Sequence, residues 1–306
     1  MANNTLPARK PEGGNYLYWL IGGIALIALF FIFVMPSLPG TGCVGTVEIS
    51  GEIITNDVPA SILTDGVKGS ATLASEIESA DKRPDVKSVL VIIDSPGGSA
   101  VGSKEIYDAL RSLNKSSVSY INELGASGGY YAAAGTDYIV ANPESIVGSI
   151  GARATFSDLS GLFAKIGYNE TVIKSGAMKD IGSQSRPMTD DEKMILEGIV
   201  NESFSMFRSD IESSRGSRLN PALFAQALDA RIMTGSQAKK AGLVDELGNR
   251  KAALKKAAEL GGITDEEPRE CQLSSSDTGH GLLGSLSAQA IEFVQKSAGV
   301  PRLSYR

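Results

Sequence analysis

The longest apolar run in the chain lies close to its N-terminus. Residues 16–35 carry no charged side chain over about the 20 positions that an α-helix needs to cross a bilayer. Tyr16, Tyr18 and Trp19 lie in its first turn, where aromatic side chains anchor membrane helices at the interface, and Pro36 ends it. The pattern predicts a single transmembrane helix over 16–35 rather than a cleaved signal peptide, whose apolar region is shorter.

Basic residues are distributed unequally on the two sides of this run. Arg9 and Lys10 precede it, and the next lysine or arginine along the chain is Lys68. The positive-inside rule therefore places segment 1–15 in the cytoplasm and the rest of the chain outside it, anchored in the cell membrane. Residues 36–43, rich in proline and glycine, form the linker to the folded part.

Beyond the linker, short apolar runs alternate with amphipathic helical patterns, which predicts a layered α/β fold with mainly parallel sheets. The run 86–93 is apolar enough to be buried on both faces of such a sheet. Thr189 and Glu192 form the capping-box pattern of a long helix that runs to about Arg215. The other expected strands are 44–49, 117–122, 137–141 and 169–174, and the other expected helices are 103–113, one opening at Ser127, 235–241 and 249–260.

The composition changes after Gly262, where acidic residues and a proline are followed by a serine-rich stretch. We expect the folded domain to span 44–262 and the tail 263–306 to be partly mobile. His280, the chain's one histidine, lies in this tail between two glycines. A catalytic base must be held within hydrogen-bond reach of its partner, so we do not expect His280 to act as one.

Charge and cysteine content exclude several classes of protein. The net charge is -6 and the basic residues are scattered, so nucleic acid is not an expected partner. Cys43 and Cys271 lie near the two ends of the chain, and we expect from them neither a metal cluster nor a disulfide framework. Neither a metal nor an organic cofactor is expected.

A glycine-rich segment, 94–104, follows the predicted strand 86–93. Gly97 and Gly102 have the spacing of a phosphate-binding loop, but Ser103 and Lys104 stand in the reverse of the order that such a loop needs. We therefore reject a nucleotide-hydrolysing function. The better interpretation is a tight turn at Gly97 and Gly98 whose bare backbone N–H groups form an oxyanion hole.

Ser127 stands among small residues at the start of the predicted alanine-rich helix, where the helix dipole would favour a developing oxyanion. A serine hydrolase without histidine can use a neutral lysine as its base, provided that burial lowers a lysine's pKa from about 10.4 toward the working pH. Two lysines, Lys174 and Lys179, lie in the polar segment 173–189. Lysines in loops are usually solvated, and a serine at this place is also a possible helix cap.

Five segments carry a strong resemblance to the signal peptide peptidase A family of membrane-bound serine proteases, in its short form, over about residues 44–250. In chain order they are DSPGGS, GASGGYY, IVGSIG, KSGAMKDIGS and DARIMTGSQAKKAGLVDELG. The resemblance implies a Clp-protease/crotonase-like fold, a serine–lysine dyad and hydrolysis of hydrophobic peptides, including signal peptides released from preproteins. It also implies a ring of identical subunits, eight in number, that faces the membrane.

The resemblance also implies a role for individual residues. Ser127 would be the nucleophile, Lys179 the general base and Ser149 the hydroxyl that orients this lysine. Gly98 would bind the oxyanion through its backbone N–H. The chain departs from the family at Ser99, where a third glycine is common, and Lys174 remains a rival base.

Two other functions share parts of this pattern. A crotonase-like enzyme that processes acyl-CoA would have the same fold and use glycine-loop N–H groups to hold a thioester enolate. A catalytically inactive membrane scaffold would bind peptides without cleaving them. The sequence leaves open whether Ser127 meets Lys179 within one subunit or between two.

Overall fold

One mixed β-sheet organises the part of the chain that the computed structural model describes, which comprises residues 16–31, 42–60, 66–273 and 304–305. The strands are β1 (Cys43–Ile53), β2 (Val86–Ser99), β3 (Ser117–Ala126), β4 (Tyr138–Ala141), β5 (Ile146–Gly148), β6 (Ile232–Thr234), β7 (Glu246–Leu247), β8 (Glu270–Gln272) and β9 (Ser304–Tyr305). The helices are α1 (Tyr16–Leu29), α2 (Ser70–Lys82), α3 (Ala100–Ser112), α4 (Gly128–Ala134), α5 (Ser160–Ile166), α6 (Asp190–Arg215), α7 (Pro221–Ala227), α8 (Gly235–Ala241) and α9 (Arg250–Leu260).

The sheet is mostly parallel, as the alternating pattern predicts. Its main path runs β6-β5-β3-β2-β1-β8, with β4 beside β3 and β7 beside β4. Only β5 with β6 and β2 with β9 pair in the antiparallel direction among the described strands. The molecule is therefore a mixed α/β structure in which β2 and β3 lie at the centre of the sheet.

Strand β2 is buried on both faces, which confirms the interpretation of the run 86–93. Val91 and Ile93 pack into a large core with side chains of α2, α3 and α4. Leu90, which points to the opposite face, packs with Ala253 and Ala257 of α9. Helices thus cover both sides of the sheet, and the apolar run is explained by the two-sided burial of a central parallel strand.

The predicted glycine-rich loop 94–104 is not a loop in the structure. Strand β2 continues through Ser99, and α3 begins at the next residue. The Ser99 hydroxyl accepts a hydrogen bond of 3.2 Å from the Gly102 amide and so caps α3. A serine that caps a helix explains the departure from the family's third glycine.

The long helix α6 begins at the predicted capping box and ends at the predicted residue. The Thr189 side chain accepts from the Glu192 amide, and the Glu192 carboxylate accepts from the Thr189 amide. At the other end, Arg215 is 2% exposed and makes two hydrogen bonds of 2.8 Å to the carboxylate of Asp245. This paired, buried charge fixes the C-terminal half of α6 to the body of the domain.

Residues 153–200 form a segment, here called the arm, that has almost no core of its own. Across its whole length one side chain, Glu192, is buried. The predicted strand 169–174 lies in the arm and is wrong, because these residues pair with no described strand and remain exposed. Ile173, which belongs to this run, is 97% exposed.

The expected membrane span is described only in part. Helix α1 has 14 residues, and positions 32–35 of the span lie outside the described residues. Among the residues that the structure describes, no helix is long and apolar enough to cross a membrane.

The sequence pattern predicts that the folded domain ends at residue 262, but the structure has a further strand beyond that residue. Strand β8 pairs in parallel with β1, with Val44 opposite Glu270. Beside this pairing, Cys43 and Cys271 form a disulfide with a Cα–Cα distance of 5.9 Å, so the expectation that these two cysteines build no disulfide framework is wrong. The parallel pairing of two segments distant in sequence brings the cysteines together. Residues 274–303, which include His280, lie outside the described residues.

Candidate active site

Ser127 lies between β3 and α4, at the position that precedes the helix. Its side chain is 0% exposed, and it makes no capping hydrogen bond to α4. The backbone has φ 54° and ψ −120°, a conformation that a residue with a side chain rarely adopts. Among the described residues the Ser127 hydroxyl has no hydrogen-bond partner. A strained serine with a buried, unpaired hydroxyl is typical of a functional site, because such strain persists only where the fold enforces it.

Ser149 lies beside Ser127 because β5 pairs with the end of β3. Ala126 is opposite Gly148, and the Ser127 amide donates a hydrogen bond of 2.7 Å to the Gly148 carbonyl. Ser149 follows at once, is 9% exposed and also has a positive φ of 54°. Its amide donates to the carbonyl of Arg231, in the residue just before β6. Two strained serines are thus held next to each other by main-chain hydrogen bonds.

The end of β2 forms a glycine-lined edge next to Ser127. Gly97 has φ 95°, and a Cβ on Gly98 would come within 2.2 Å of the Ile53 carbonyl oxygen. A Cβ on Gly128, the residue after the nucleophile candidate, would lie 3.2 Å from the Gly97 Cα. Glycine is therefore required here by close backbone approach. The end of β2 therefore lies against the residue that follows Ser127, and Gly98 is the next residue along this strand.

The two candidate lysines have different surroundings in the arm. Lys174 lies 2.5 Å from the carboxylate of Asp180, which also pairs with Arg186. Hydrogen bonds from Arg186, and then from Lys174, hold the pKa of Asp180 well below its usual range. Lys179 lies on a 3₁₀ turn and is exposed, and its side chain makes no hydrogen bond or ion pair with any described residue. The geometry leaves Lys179 available and Lys174 engaged.

Within the described chain, the structure brings Ser149 next to Ser127 and the end of β2, at Gly97, next to Gly128. It does not bring Lys179 into hydrogen-bond contact with Ser127, whose hydroxyl has no partner there. One described group has the spacing of metal ligands: Cys43, Asp85 and Cys271. Its two sulfur atoms are joined in the disulfide, so they are not free to bind a metal.

Comparison with known proteins places this site in a family. The model of peptidase family S49 matches residues 109–264, the part of the chain that contains Ser127, Ser149 and Lys179. The chain belongs to peptidase family S49. This confirms the resemblance to signal peptide peptidase A on which the assignment of site residues depends.

Named relatives of this S49 chain agree with the family. A protein of Methanocaldococcus jannaschii, provisionally named a protease, is 40% identical over 210 residues, which cover 68% of this chain and 66% of that protein. A protein of Synechocystis, also provisionally named a protease, is 36% identical over 237 residues, which cover 71% of this chain and 84% of that protein. A protein of Enterococcus faecium, provisionally named signal peptide peptidase SppA, is 30% identical over 207 residues, which cover 67% of this chain and 60% of that protein.

A further residue of this S49 site, Ser95, carries no role in the sequence analysis. Its side chain is fully buried, donates a hydrogen bond of 2.6 Å to the Gly51 carbonyl and accepts one of 3.1 Å from the Gly97 amide. Ser95 thereby fixes the backbone that leads into Gly98. Its place in the DSPGGS segment was the available signal, but the sequence does not show that its hydroxyl turns back onto a glycine amide.

The glycine-lined end of β2 in the S49 site also pairs with a strand from the C-terminal segment. Strand β9, formed by Ser304 and Tyr305, pairs with β2 in the antiparallel direction, with Gly98 opposite Tyr305 and Ser99 opposite Ser304. The C-terminal segment of the chain thus reaches the oxyanion candidate, although its sequence has no strand-like pattern that predicts this.

Proposed function

We propose that this chain is a membrane-anchored serine endopeptidase that hydrolyses hydrophobic peptides, among them released signal peptides. The observation that carries the proposal is the Ser127 hydroxyl, which is buried and unpaired beside the glycine-lined edge of β2. Membership of a peptidase family agrees with a nucleophile at this place. The mostly parallel sheet supports the Clp-protease/crotonase-like fold that the motifs imply.

In this proposal Ser127 and Lys179 form the catalytic dyad. A neutral Lys179 amine takes the proton of the Ser127 hydroxyl as its oxygen attacks the peptide carbonyl carbon. The Gly98 amide stabilises the oxyanion of the tetrahedral intermediate. When the C–N bond breaks, the Lys179 ammonium returns the proton to the leaving amine. Water then hydrolyses the acyl-enzyme by the same route, and the Ser149 hydroxyl orients the lysine.

The base of each site is proposed to come from a neighbouring copy. Lys179 is exposed on the arm, and the Ser127 hydroxyl has no described partner in the same chain. The arm also exposes large apolar side chains, a surface that usually marks a protein interface. They include Leu162, Ile166, Ile173, Ile195 and Ile199. A homo-oligomeric ring, with eight subunits as the family resemblance implies, would cover this surface and complete the site.

The proposed location is the cell membrane, with the catalytic domain outside the cytoplasm. The apolar run 16–35 and the basic residues before it support the anchor and its orientation. The disulfide between Cys43 and Cys271 supports an oxidising compartment, because disulfides are rare in the cytosol.

Labelling and cleavage assays on the full chain in detergent would test the proposal. A fluorophosphonate probe should label Ser127, and a fluorogenic apolar peptide should be cleaved. Ser127→Ala should lose both signals, whereas Ser119→Ala, a buried serine on β3 that hydrogen-bonds the Ala133 carbonyl, should keep both. Turnover of an acyl-CoA thioester without peptide cleavage would instead support the crotonase-like function. Peptide binding without either reaction would support the scaffold.

A further inference from the structure

Three non-glycine residues have a positive φ in the part of the chain that the structure describes: Ser127, Ser149 and Ala230. Two of them are the serines of the candidate site, and the third, Ala230, has φ 65°. Alanine has no polar side chain to stabilise this backbone conformation locally, as asparagine or aspartate would. Such strain persists only where the surrounding structure enforces it, and it clusters at functional sites. The strain at Ala230 therefore points to a role in the site.

A main-chain hydrogen bond attaches Ser149 to the residue that follows Ala230. Gly148, the last residue of β5, lies in the antiparallel ladder with β6, opposite Ile232. Ser149 is the first residue beyond this ladder, and its amide donates a bond of 2.9 Å to the Arg231 carbonyl. Strand pairing thus brings Ser149 beside the nucleophile candidate, and the turn that contains Ala230 holds the direction of the Ser149 amide.

The turn 229–231 is closed by contacts on both sides of Ala230. The Asp229 carboxylate accepts a hydrogen bond of 3.0 Å from the Arg231 amide, two residues further on, and so closes the turn around Ala230. The same carboxylate accepts bonds of 2.8 and 2.6 Å from the Arg231 guanidinium. A Cβ on Gly151 would lie 2.7 Å from the Ala230 Cβ, so the Ala230 methyl group packs directly against this glycine.

We propose that Ala230 is a positioning residue, which sets the orientation of Ser149 through the carbonyl of Arg231. The inference rests on the proposed peptidase function, in which the Ser149 hydroxyl orients Lys179. With a positive φ at Ala230, the Arg231 carbonyl faces the Ser149 amide. In an ordinary conformation of residue 230 this carbonyl would turn away, and Ser149 would lose the bond that holds it toward the base.

Substitutions that differ in their tolerance of a positive φ test this inference in the full chain. Ala230→Val introduces a β-branched side chain that such a conformation disfavours, whereas Ala230→Gly adopts it freely. We expect kcat for an apolar peptide to fall about tenfold in the valine variant with little change in KM, because a misplaced catalytic group slows the chemical step. The conservative Ala230→Gly should retain most of the activity. The matched control is Ala225→Val, the same change at an exposed position of α7, which should leave kcat unchanged.

A Ser149→Ala background tests whether the effect passes through Ser149. This variant removes the hydroxyl that Ala230 is proposed to orient, so adding Ala230→Val should cause no further loss of kcat. A structural defect spread over the domain would instead lower kcat by the same factor in both backgrounds. Equal factors would therefore overturn the inference.

Hydrogen exchange gives a readout that does not require cleavage. The Ser149 amide should exchange faster in Ala230→Val than in wild type or Ala230→Gly, because its bond to the Arg231 carbonyl is weakened. The Ser127 amide should exchange as in wild type, since its acceptor Gly148 is held by strand pairing.

These outcomes separate the inference from the proposed function. Unchanged kcat or unchanged exchange at Ser149 in Ala230→Val would overturn the inference, even if Ser127-dependent cleavage is found. If wild type cleaves no peptide, the proposed function fails. Faster exchange confined to Ser149 would then still support the control of its orientation by Ala230.

Discussion

The amide of Ser127 donates a hydrogen bond of 2.7 Å to the carbonyl of Gly148. This bond joins the nucleophile candidate directly to the turn that carries Ser149. Both Ser127 and Ser149 have a positive φ of 54°. The relative position of the two hydroxyls is therefore set by strand pairing between β3 and β5, and it does not depend on flexible side-chain contacts.

Replacing each candidate lysine with arginine shows which of the two acts as the general base. Lys179→Arg keeps the positive charge and similar length but cannot lose its proton in a protein, so it cannot act as a base. We expect kcat/KM for an apolar peptide to fall by about 10³-fold, within the range for loss of general-base catalysis. Lys174→Arg should retain the ion pair with Asp180 and most of the activity. An inactive Lys174→Arg together with an active Lys179→Arg would show that Lys174 is the base.

Mixing inactive subunits tests whether the dyad forms between neighbours. Ser127→Ala and Lys179→Arg subunits are combined under conditions that allow exchange, and mixed oligomers are confirmed by native mass spectrometry. With random equal mixing, about a quarter of the sites should pair an intact serine with an intact lysine across a cyclic interface. We expect cleavage to recover to that level. No recovery in confirmed mixed oligomers would place both residues in one chain.

Loss of the Ser95 hydroxyl should impair turnover more than substrate binding. Ser95→Ala frees the Gly97 amide and loosens the approach to Gly98. Because small displacements of an oxyanion donor are costly, we expect kcat to fall by about 10- to 100-fold with little change in KM. Ser88→Ala is the matched control, since Ser88 is also fully buried on β2 and hydrogen-bonds the Ala257 carbonyl. A similar loss in both variants would indicate general damage to the strand.

The contact between Glu192 and Arg186, near the C-terminal end of the arm, should persist in acid. Hydrogen bonds from Arg186, and then from the Thr189 amide, lower the pKa of Glu192 to about 2. The usual value is about 4.3, so this contact contributes its full stability above that pH and loses it as the pH falls through 2. At pH 3 the contact should still be formed, and pepsin should cut poorly between residues 181 and 191.

An arginine variant provides the control for this acid resistance. Arg186→Gln should let the pKa of Glu192 rise toward its usual value, so that the arm is nicked faster at pH 3. Arg208→Gln removes an arginine from an exposed pair with Glu212 on the same helix and should change nothing. Equal nicking of wild type and Arg186→Gln would count against the role of this contact.

The disulfide should stabilise the domain by closing a loop that includes nearly all of it. Cys43 and Cys271 are separated by 228 positions in the sequence. Cys43→Ala/Cys271→Ala should lower the free energy of unfolding by about 2–4 kcal/mol, the typical contribution of a disulfide. Thermal unfolding of the full chain with and without reductant measures this. Reductant should lower the Tm of wild type only, and an equal effect on the variant would point to another cause.

Features set by neighbouring residues were predictable from the sequence. The capping box at Thr189 and Glu192 gives α6 its start, and the helix expected over 235–241 is α8 with the same bounds. The two-sided burial of β2 also follows from its unbroken apolar run. In each case the signal and the structure lie within a few residues of each other.

Features set by contacts between distant segments were not predictable. The run 169–174 has a strand-like composition, but no described strand lies beside it to pair, so it remains an exposed stretch of the arm. Cys43 and Cys271 come together only because β8 pairs with β1. The proposed pairing of Ser127 with Lys179 is of the same kind. The two residues are 52 positions apart in the sequence, and the described chain does not bring them into hydrogen-bond contact.

The arm contains one buried side chain across residues 153–200, and Lys179 lies in its middle. A protease whose catalytic base lies on such a segment needs no propeptide to keep it inactive during synthesis. In the proposed arrangement, a newly made subunit would be inert while it is alone and would become active when another copy accepts its arm. Local abundance in the membrane would then act as the switch, and dilution alone would turn the enzyme off.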